Sequence, residues 1–215
     1  MRATPNVFAV AFLVLGLSLS AAPGTALANP DAEKFTSGLM ERGLAILRNN
    51  AGNEASRKAQ LHQLVLQNVD ARKTALFALG NSRRGLNSRA VEGYVTAFTD
   101  YITTIYESRF EKYRDLKIKV LSSIDNAPND ATVLTQGCTA KDRAGTKDPI
   151  IIGFRLLGAN GSYKIVDVQI AGIWVSIDQR ERFAEMMSKN NNDIRALTGY
   201  LTATTAQIKS GAKKV

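Results

Sequence analysis

Asp167 is the residue of this sequence placed most suggestively for chemistry. It interrupts YKIVDVQI (Tyr163 to Ile170), a run that otherwise alternates like a strand. A carboxylate set in an apolar strand can serve as a general base in a conical pocket, as in some small α+β enzymes. That work needs a second proton-handling group on the same face, and neither Ile165 nor Gln169 supplies one. The alternation puts Val166, Val168 and Ile170 on one side and Ile165, Asp167 and Gln169 on the other. Asp167 then points away from the apolar face. Arg155 on the preceding strand is its expected cross-strand partner, so architecture is favoured over catalysis.

The other reactive types are sparse. His62 is the only histidine and Cys138 the only cysteine. His62 has no second histidine one helical turn away to share a metal. Cys138 sits in the strand-like run TVLTQGCTA and reads as a small buried apolar residue. No G-x-S-x-G, C-x-x-C, phosphate-loop or EF-hand pattern occurs. Neither a metal nor a cofactor is expected.

The elements that must position these residues change period along the chain. Asp31–Asn49, Glu54–Val69, a short ARKTALFAL helix capped by Asp70 and stopped at Gly80, and a long helix from Ser88 through Arg114 carry apolar residues at three- and four-residue spacing. From Leu116 the period becomes two. Strands are expected at Leu116–Ile124, Ala131–Ala140, Pro149–Leu157 and Tyr163–Ile170, with a tight turn at GANGS. Helices at Ser176–Lys189 and Asp193–Lys209 follow. Helices, then hairpin-linked strands, then helices make an α+β fold: a helical layer packed on a small curved antiparallel sheet.

On that sheet Ile118, Val120, Ile152, Phe154, Leu156, Val166, Val168 and Ile170 are expected to share one face, opposite helices carrying Phe77, Phe98 and Ile102. Such a face is either a sealed core or one wall of an apolar cleft for a ligand. Periodicity is the same for both.

The start of the chain reads as a leader. Arg2, the apolar run Val7–Leu19 and the site Ala26-Leu27-Ala28 have the order of a secretory signal peptide over residues 1–28. The apolar run is short of the roughly 20 residues that span a bilayer. Export to the periplasm is therefore expected, with 29–215 as a single domain held by packing and not by disulfides. The formal net charge is +9. Between Asn53 and Val91 stand Arg57, Lys58, Arg72, Lys73, Arg83, Arg84 and Arg89 against Glu54 and Asp70, a local charge of +5. Export removes nucleic acid from reach. The stretch is either a solvated face or a dock for an anionic membrane or acidic partner.

Two blocks carry a family resemblance. FALG (Phe77 to Gly80) precedes a helix with Tyr94, Phe98, Tyr101, Ile102 and Tyr106, and YKIVDVQIAGIWVSIDQRERF (Tyr163 to Phe183) forms the second block. Together with the leader, they resemble the MlaC-like periplasmic phospholipid-binding proteins, auxiliary components of an ABC transporter for toluene tolerance. The resemblance implies an NTF2-like sheet with acyl chains between it and the helices. It also implies a monomeric shuttle between an outer-membrane lipoprotein complex and the MCE-domain subunit of an inner-membrane ABC transporter. The hopanoid-associated HpnM branch is similar, and Trp174, where many relatives have a small residue, leaves a phospholipid or a hopanoid-like lipid as cargo. Water rejects acyl chains at about 0.8 kcal/mol per methylene, so a carrier needs an apolar pocket and no reactive group. A conical-pocket enzyme using Asp167 and a scaffold with a solid core are the competing readings.

Overall fold

The computed structural model describes residues 28–49, 53–110, 114–138 and 150–213. The expected leader, residues 1–28, lies outside these residues except for Ala28. Helix α1 (Pro30–Arg48) begins where Asn29 Oδ1 accepts from Ala32 N at 2.9 Å, with proline in the first turn and Asp31 and Glu33 beside the positive helix end. Helix α2 (Glu54–Asn68) is capped in the same way by Asn53. Helix α3 (Ala71–Leu79) is capped by Asp70, whose Oδ1 accepts from Lys73 N. Gly80, at φ +56°, takes the chain out of the helix and into a 3₁₀ turn, Gly80–Arg83. Helix α4 (Ser88–Phe110) starts one residue earlier than a Ser88 cap would allow: the cap is Asn87, whose Oδ1 accepts from Ala90 N at 2.8 Å.

Five strands follow in sheet order, each antiparallel to its neighbour: β1 (Lys117–Ala127), β2 (Asp130–Cys138), β3 (Ile150–Ala159), β4 (Ser162–Ile170) and the short β5 (Ile173–Trp174). Asn160 and Gly161, both at positive φ, close the β3–β4 hairpin, as an Asn-Gly pair does when the turn must match strand twist. The sequence pattern shows four strands; β5, with two residues, is too short to have a period. Helices α5 (Val175–Lys189) and α6 (Ile194–Lys209) complete the chain.

Among the described residues the sheet has three register shifts, and two of them bear on the cavity face. In β1 the register passes from Val120 opposite Thr135 to Ser122 opposite Leu134, leaving Leu121 extra. Beyond it Ser123 is buried and Ile124 exposed, the reverse of unbroken alternation. In β4 Asp167 faces Arg155 while Ile165 faces Leu156, so Val166 is the extra residue. The carbonyls there are satisfied by the α2–α3 corner: Asp70 N donates to Ile165 O at 2.8 Å, and Thr74 Oγ1 to Val166 O at 2.7 Å. The bulge is thus tied to helix packing.

The helices build two apolar clusters. One lies between α1, α2 and the sheet and includes Leu39, Val133, Phe154, Leu156, Ile165 and Val168. The other is wholly helical. Tyr94 and Phe98 of α4 each meet Phe183 of α5 edge-on, with ring centroids 6.2 Å apart, and Leu197 and Leu201 of α6 close over them. Tyr106 touches both clusters.

Candidate functional site

A cavity of about 130 Å³ lies between the α1–α2 pair and the sheet. From the sheet come Ile118, Ile150, Ile152, Phe154, Ile165, Val168 and Ile170. Helix α1 contributes Leu39, Met40, Leu44 and Leu47, and α2 contributes Leu64 and Val65. Asn68, Tyr106 and Arg109 are the polar side chains of the lining among the described residues. The volume is close to the roughly 150 Å³ of an engineered apolar cavity that stays dry and binds benzene.

The sequence pattern places Ile118, Ile152, Phe154, Val168 and Ile170 on this face, and the structure brings all five to the cavity. Six other expected residues stand elsewhere. Val166 is turned off the face by the bulge, and Ile165 takes its place. Leu156 is fully buried in the sheet–helix core beyond the cavity, and Val120 packs against that core from the edge strand. Phe98 and Ile102 belong to the helical cluster, because the α4 stripe that holds them is covered by α5 and α6. Phe77 is exposed, with the Arg180 guanidinium 5.3 Å from its ring centroid. The α1 and α2 residues, absent from the sequence-based set, did carry a signal: Leu39, Ile46, Leu47, Leu61, Leu64 and Val65 make apolar stripes, but a stripe does not say whether it meets a sheet or a helix.

Asp167 is architectural, by a route different from the one expected. Arg155 is its register partner, yet the Arg155 guanidinium turns to Asp130 on β2, with contacts of 2.7 and 3.2 Å. That hydrogen-bonded guanidinium holds the Asp130 carboxyl below the usual carboxylate range. Asp167 instead accepts from Val168 N at 2.9 Å, from Ser176 N at 3.0 Å and from Ser176 Oγ. Trp174, at the cap position of α5, provides no side-chain bond to the helix end. Asp167 therefore serves as the missing cap from the neighbouring strand, where negative charge is favoured. The carboxylate is committed to the first turn of α5.

This arrangement sets an expectation for stability. Asp167→Asn keeps an acceptor oxygen for Ser176 N and is expected to cost about 1 kcal/mol, with binding at the cavity unchanged. Asp167→Ala strands the backbone and hydroxyl of buried Ser176 and is expected to cost about 2–4 kcal/mol. Urea denaturation of the three proteins, with binding measured on the folded forms, checks the order. Loss of cavity binding in a folded Asp167→Asn protein would contradict the assignment.

His62 Nδ1 lies 2.6 Å from Glu107 Oε1, linking α2 to α4. Cys138 is buried and free. The basic residues do not act alike. Lys58 pairs with Glu54, Arg72 binds Glu92 through both terminal nitrogens at 2.6 and 2.7 Å, and Lys73 is 3.9 Å from Asp70. Arg57, half-buried on α2, is engaged within the protein. Arg83, Arg84 and Arg89 are exposed, and among the described residues no carboxylate pairs with them. Arg72, Lys73 and Arg83 gather with Asp70, Leu76 and Phe77 around a shallow depression that shares no lining residue with the cavity.

No curated protein sequence matches the chain. Among solved structures, the phospholipid-binding protein from Ralstonia solanacearum, determined in complex with a phospholipid, is similar at a TM-score of 0.66. The two are 19% identical over 83% of this chain and 99% of that one, a likeness of fold. The family model described as MlaC protein matches residues 38–203, a span that contains every buried residue of the helical cluster, all those of the sheet–helix cluster except Ala32, and the whole of the cavity lining. On that match the chain belongs to the MlaC family.

Proposed function

We propose that this protein carries a phospholipid through the periplasm, between an outer-membrane lipoprotein complex and the MCE-domain subunit of an inner-membrane ABC transporter. The family is one of lipid-binding, non-enzymatic carriers. The observation that carries the reading is the apolar cavity between α1–α2 and the sheet. A void there forfeits dispersion contacts on its walls, and an acyl chain restores them. Its volume is below the roughly 300–1,000 Å³ of ordinary small-molecule sites. Two acyl chains therefore enter only as the α1–α2 pair moves off the sheet. The transfer energy of the chains, about 0.8 kcal/mol per buried methylene, drives that separation.

Export is part of the proposal, with the mature chain beginning at Asn29 after removal of residues 1–28. Asn29 is well placed to be a terminus. Its backbone nitrogen donates to Ser123 Oγ at 2.7 Å, and Ser123 Oγ donates in turn to Glu33 Oε1 at 2.6 Å. An α-ammonium at this position would reach the Glu33 carboxylate through Ser123, while the Asn29 side-chain oxygen caps α1. Among the described residues no helix is long and apolar enough to cross a membrane. Protein purified from the periplasm of its host is expected to have an intact mass that starts at Asn29 and to release phospholipid into organic solvent. A retained Met1 would refute the processing. A lipid-free extract would refute the carriage.

The basic residues support a docking role for the α3 end of the molecule. Among the described residues no carboxylate pairs with Arg83, Arg84 or Arg89, so their charge is available to an anionic membrane or acidic partner. Their reach is about 8 Å at physiological ionic strength. Arg83→Glu with Arg84→Glu is expected to weaken association with anionic vesicles or the transporter subunit several-fold at low salt, and less at high salt. Equal binding of wild type and variant at low salt would mark these arginines as solvated surface.

A further inference from the structure

The three polar side chains of the cavity differ in what they have already bound. Asn68 Nδ2 donates to Leu64 O at 2.7 Å, within its own helix. Tyr106 is engaged within the protein, and burial raises its phenol above the ordinary tyrosine value, so it stays neutral. Arg109, one turn further along α4, is the cation of the lining, and its Nε is buried with no hydrogen-bond partner. Among the described residues no carboxylate pairs with it. A guanidinium does not shed its charge. A buried donor of this kind is costly unless an acceptor meets it, and the cost is greater for a charged group.

The position of Arg109 suggests where that acceptor comes from. Helix α4 ends at Phe110 and β1 begins at Lys117, and Leu116 and Ile118 line the same cavity. Arg109 therefore stands at the end of the sheet where β1 starts. Ile118 is paired there with Gly137, and Gly137 with Ile150. Ile170, opposite Ile152, lies at the same end and is 37% exposed. The cationic end of the cavity and its exposed rim coincide, while the far walls are apolar.

Resting on the lipid-carrier reading, we propose that Arg109 anchors the anionic phosphate of the cargo at the cavity rim, with the acyl chains running inward along Ile118, Ile152 and Val168. A phosphodiester presents paired oxygens that match the guanidinium fork. A neutral polycyclic or diacyl lipid presents only uncharged hydroxyl or ester oxygens and leaves the charge unmatched. The protein thereby selects a phospholipid over a neutral hopanoid-like lipid.

The test compares phosphatidylglycerol with diacylglycerol of the same two chains, bound to delipidated protein and followed by displacement of a fluorescent fatty acid. Wild type is expected to prefer the phospholipid by about ten- to a hundredfold, the range of a charge-assisted hydrogen bond. Arg109→Gln is expected to lose most of that preference with its diacylglycerol affinity unchanged. An undiminished preference in a folded Arg109→Gln protein overturns the proposal. Wild type alone decides if that variant does not fold. Equal affinity for both lipids overturns the Arg109 anchor and leaves the carrier reading standing, whereas binding of neither lipid removes the carrier reading itself. Inorganic phosphate alone is expected not to saturate the Arg109 Nε–H resonance in the low millimolar range. Saturation there would show a free-anion site and overturn the headgroup assignment.

Discussion

Val168→Trp is expected to leave the protein folded and to strip it of nine-tenths or more of its bound lipid. Val168 is 8% exposed, lines the cavity from β4, and lies across the sheet from Phe154. In a close-packed core an added ring forces strain of typically 1–3 kcal/mol. Here the ring has a place to go, because a void of about 130 Å³ is close to the size that accepts benzene. The indole fills space that an acyl chain would use. It also replaces wall-to-void surface with contacts, so part of the strain is offset. The measurement pairs melting temperature with extractable lipid on wild type and variant. A folded variant with full lipid content would show that the chains lie elsewhere. An unfolded variant, beside a wild type that carries no lipid, would show that this face is ordinary core.

Phe98→Ala is expected to do the opposite: to cost about 3–5 kcal/mol of stability, the usual range for deleting a buried aromatic ring, and to leave lipid affinity of the folded protein within about twofold. Phe98 is 1% exposed and packs edge-on against Phe183 and at 6.0 Å from Tyr94. These contacts are in the helical cluster of α3, α4, α5 and α6, behind the sheet–helix layer that holds the cavity. A loss of this size is a large share of the 5–15 kcal/mol that holds a typical domain together. The assay therefore belongs at low temperature, on protein shown to be folded by circular dichroism. A folded Phe98→Ala protein with tenfold weaker lipid binding would place α4 in the acyl-chain wall after all. The two substitutions together separate a residue that holds the cargo from one that holds the scaffold.

The four longer strands of the sheet were legible from alternation alone. Ile152, Phe154 and Val168 point to one face because side chains of a strand alternate, and the Asn160-Gly161 turn fixed the hairpin that pairs β3 with β4. Helix starts were legible where a short polar side chain reaches its own helix, as Asp70 does for α3. The Ser88 start was off by one because Asn87 is an equally good cap and lies nearer the turn. Val166 was assigned to the wrong face for a definite reason. A bulge adds one residue to one strand, and its cause lies in Asp70 and Thr74, some ninety residues away in sequence, which bind the extra carbonyls. No local pattern records such a contact.

By itself, then, the sequence determined the periods of its elements, the thin inventory of reactive groups, the leader-like start, and two blocks that resemble one family. Those features arise from neighbours within a turn or a strand, so they are written locally. Tertiary structure decided the rest. It gave Asp167 to the α5 terminus because Ser176 arrives beside it only after the β4–β5 turn folds back. It gave the Phe98 stripe of α4 to α6, and the cavity to α1 and α2, because an apolar stripe accepts any complementary apolar surface and the topology chooses which one it meets. It left Arg109 with a buried, unmatched donor beside that cavity because a cation's partners are set by what folds around it.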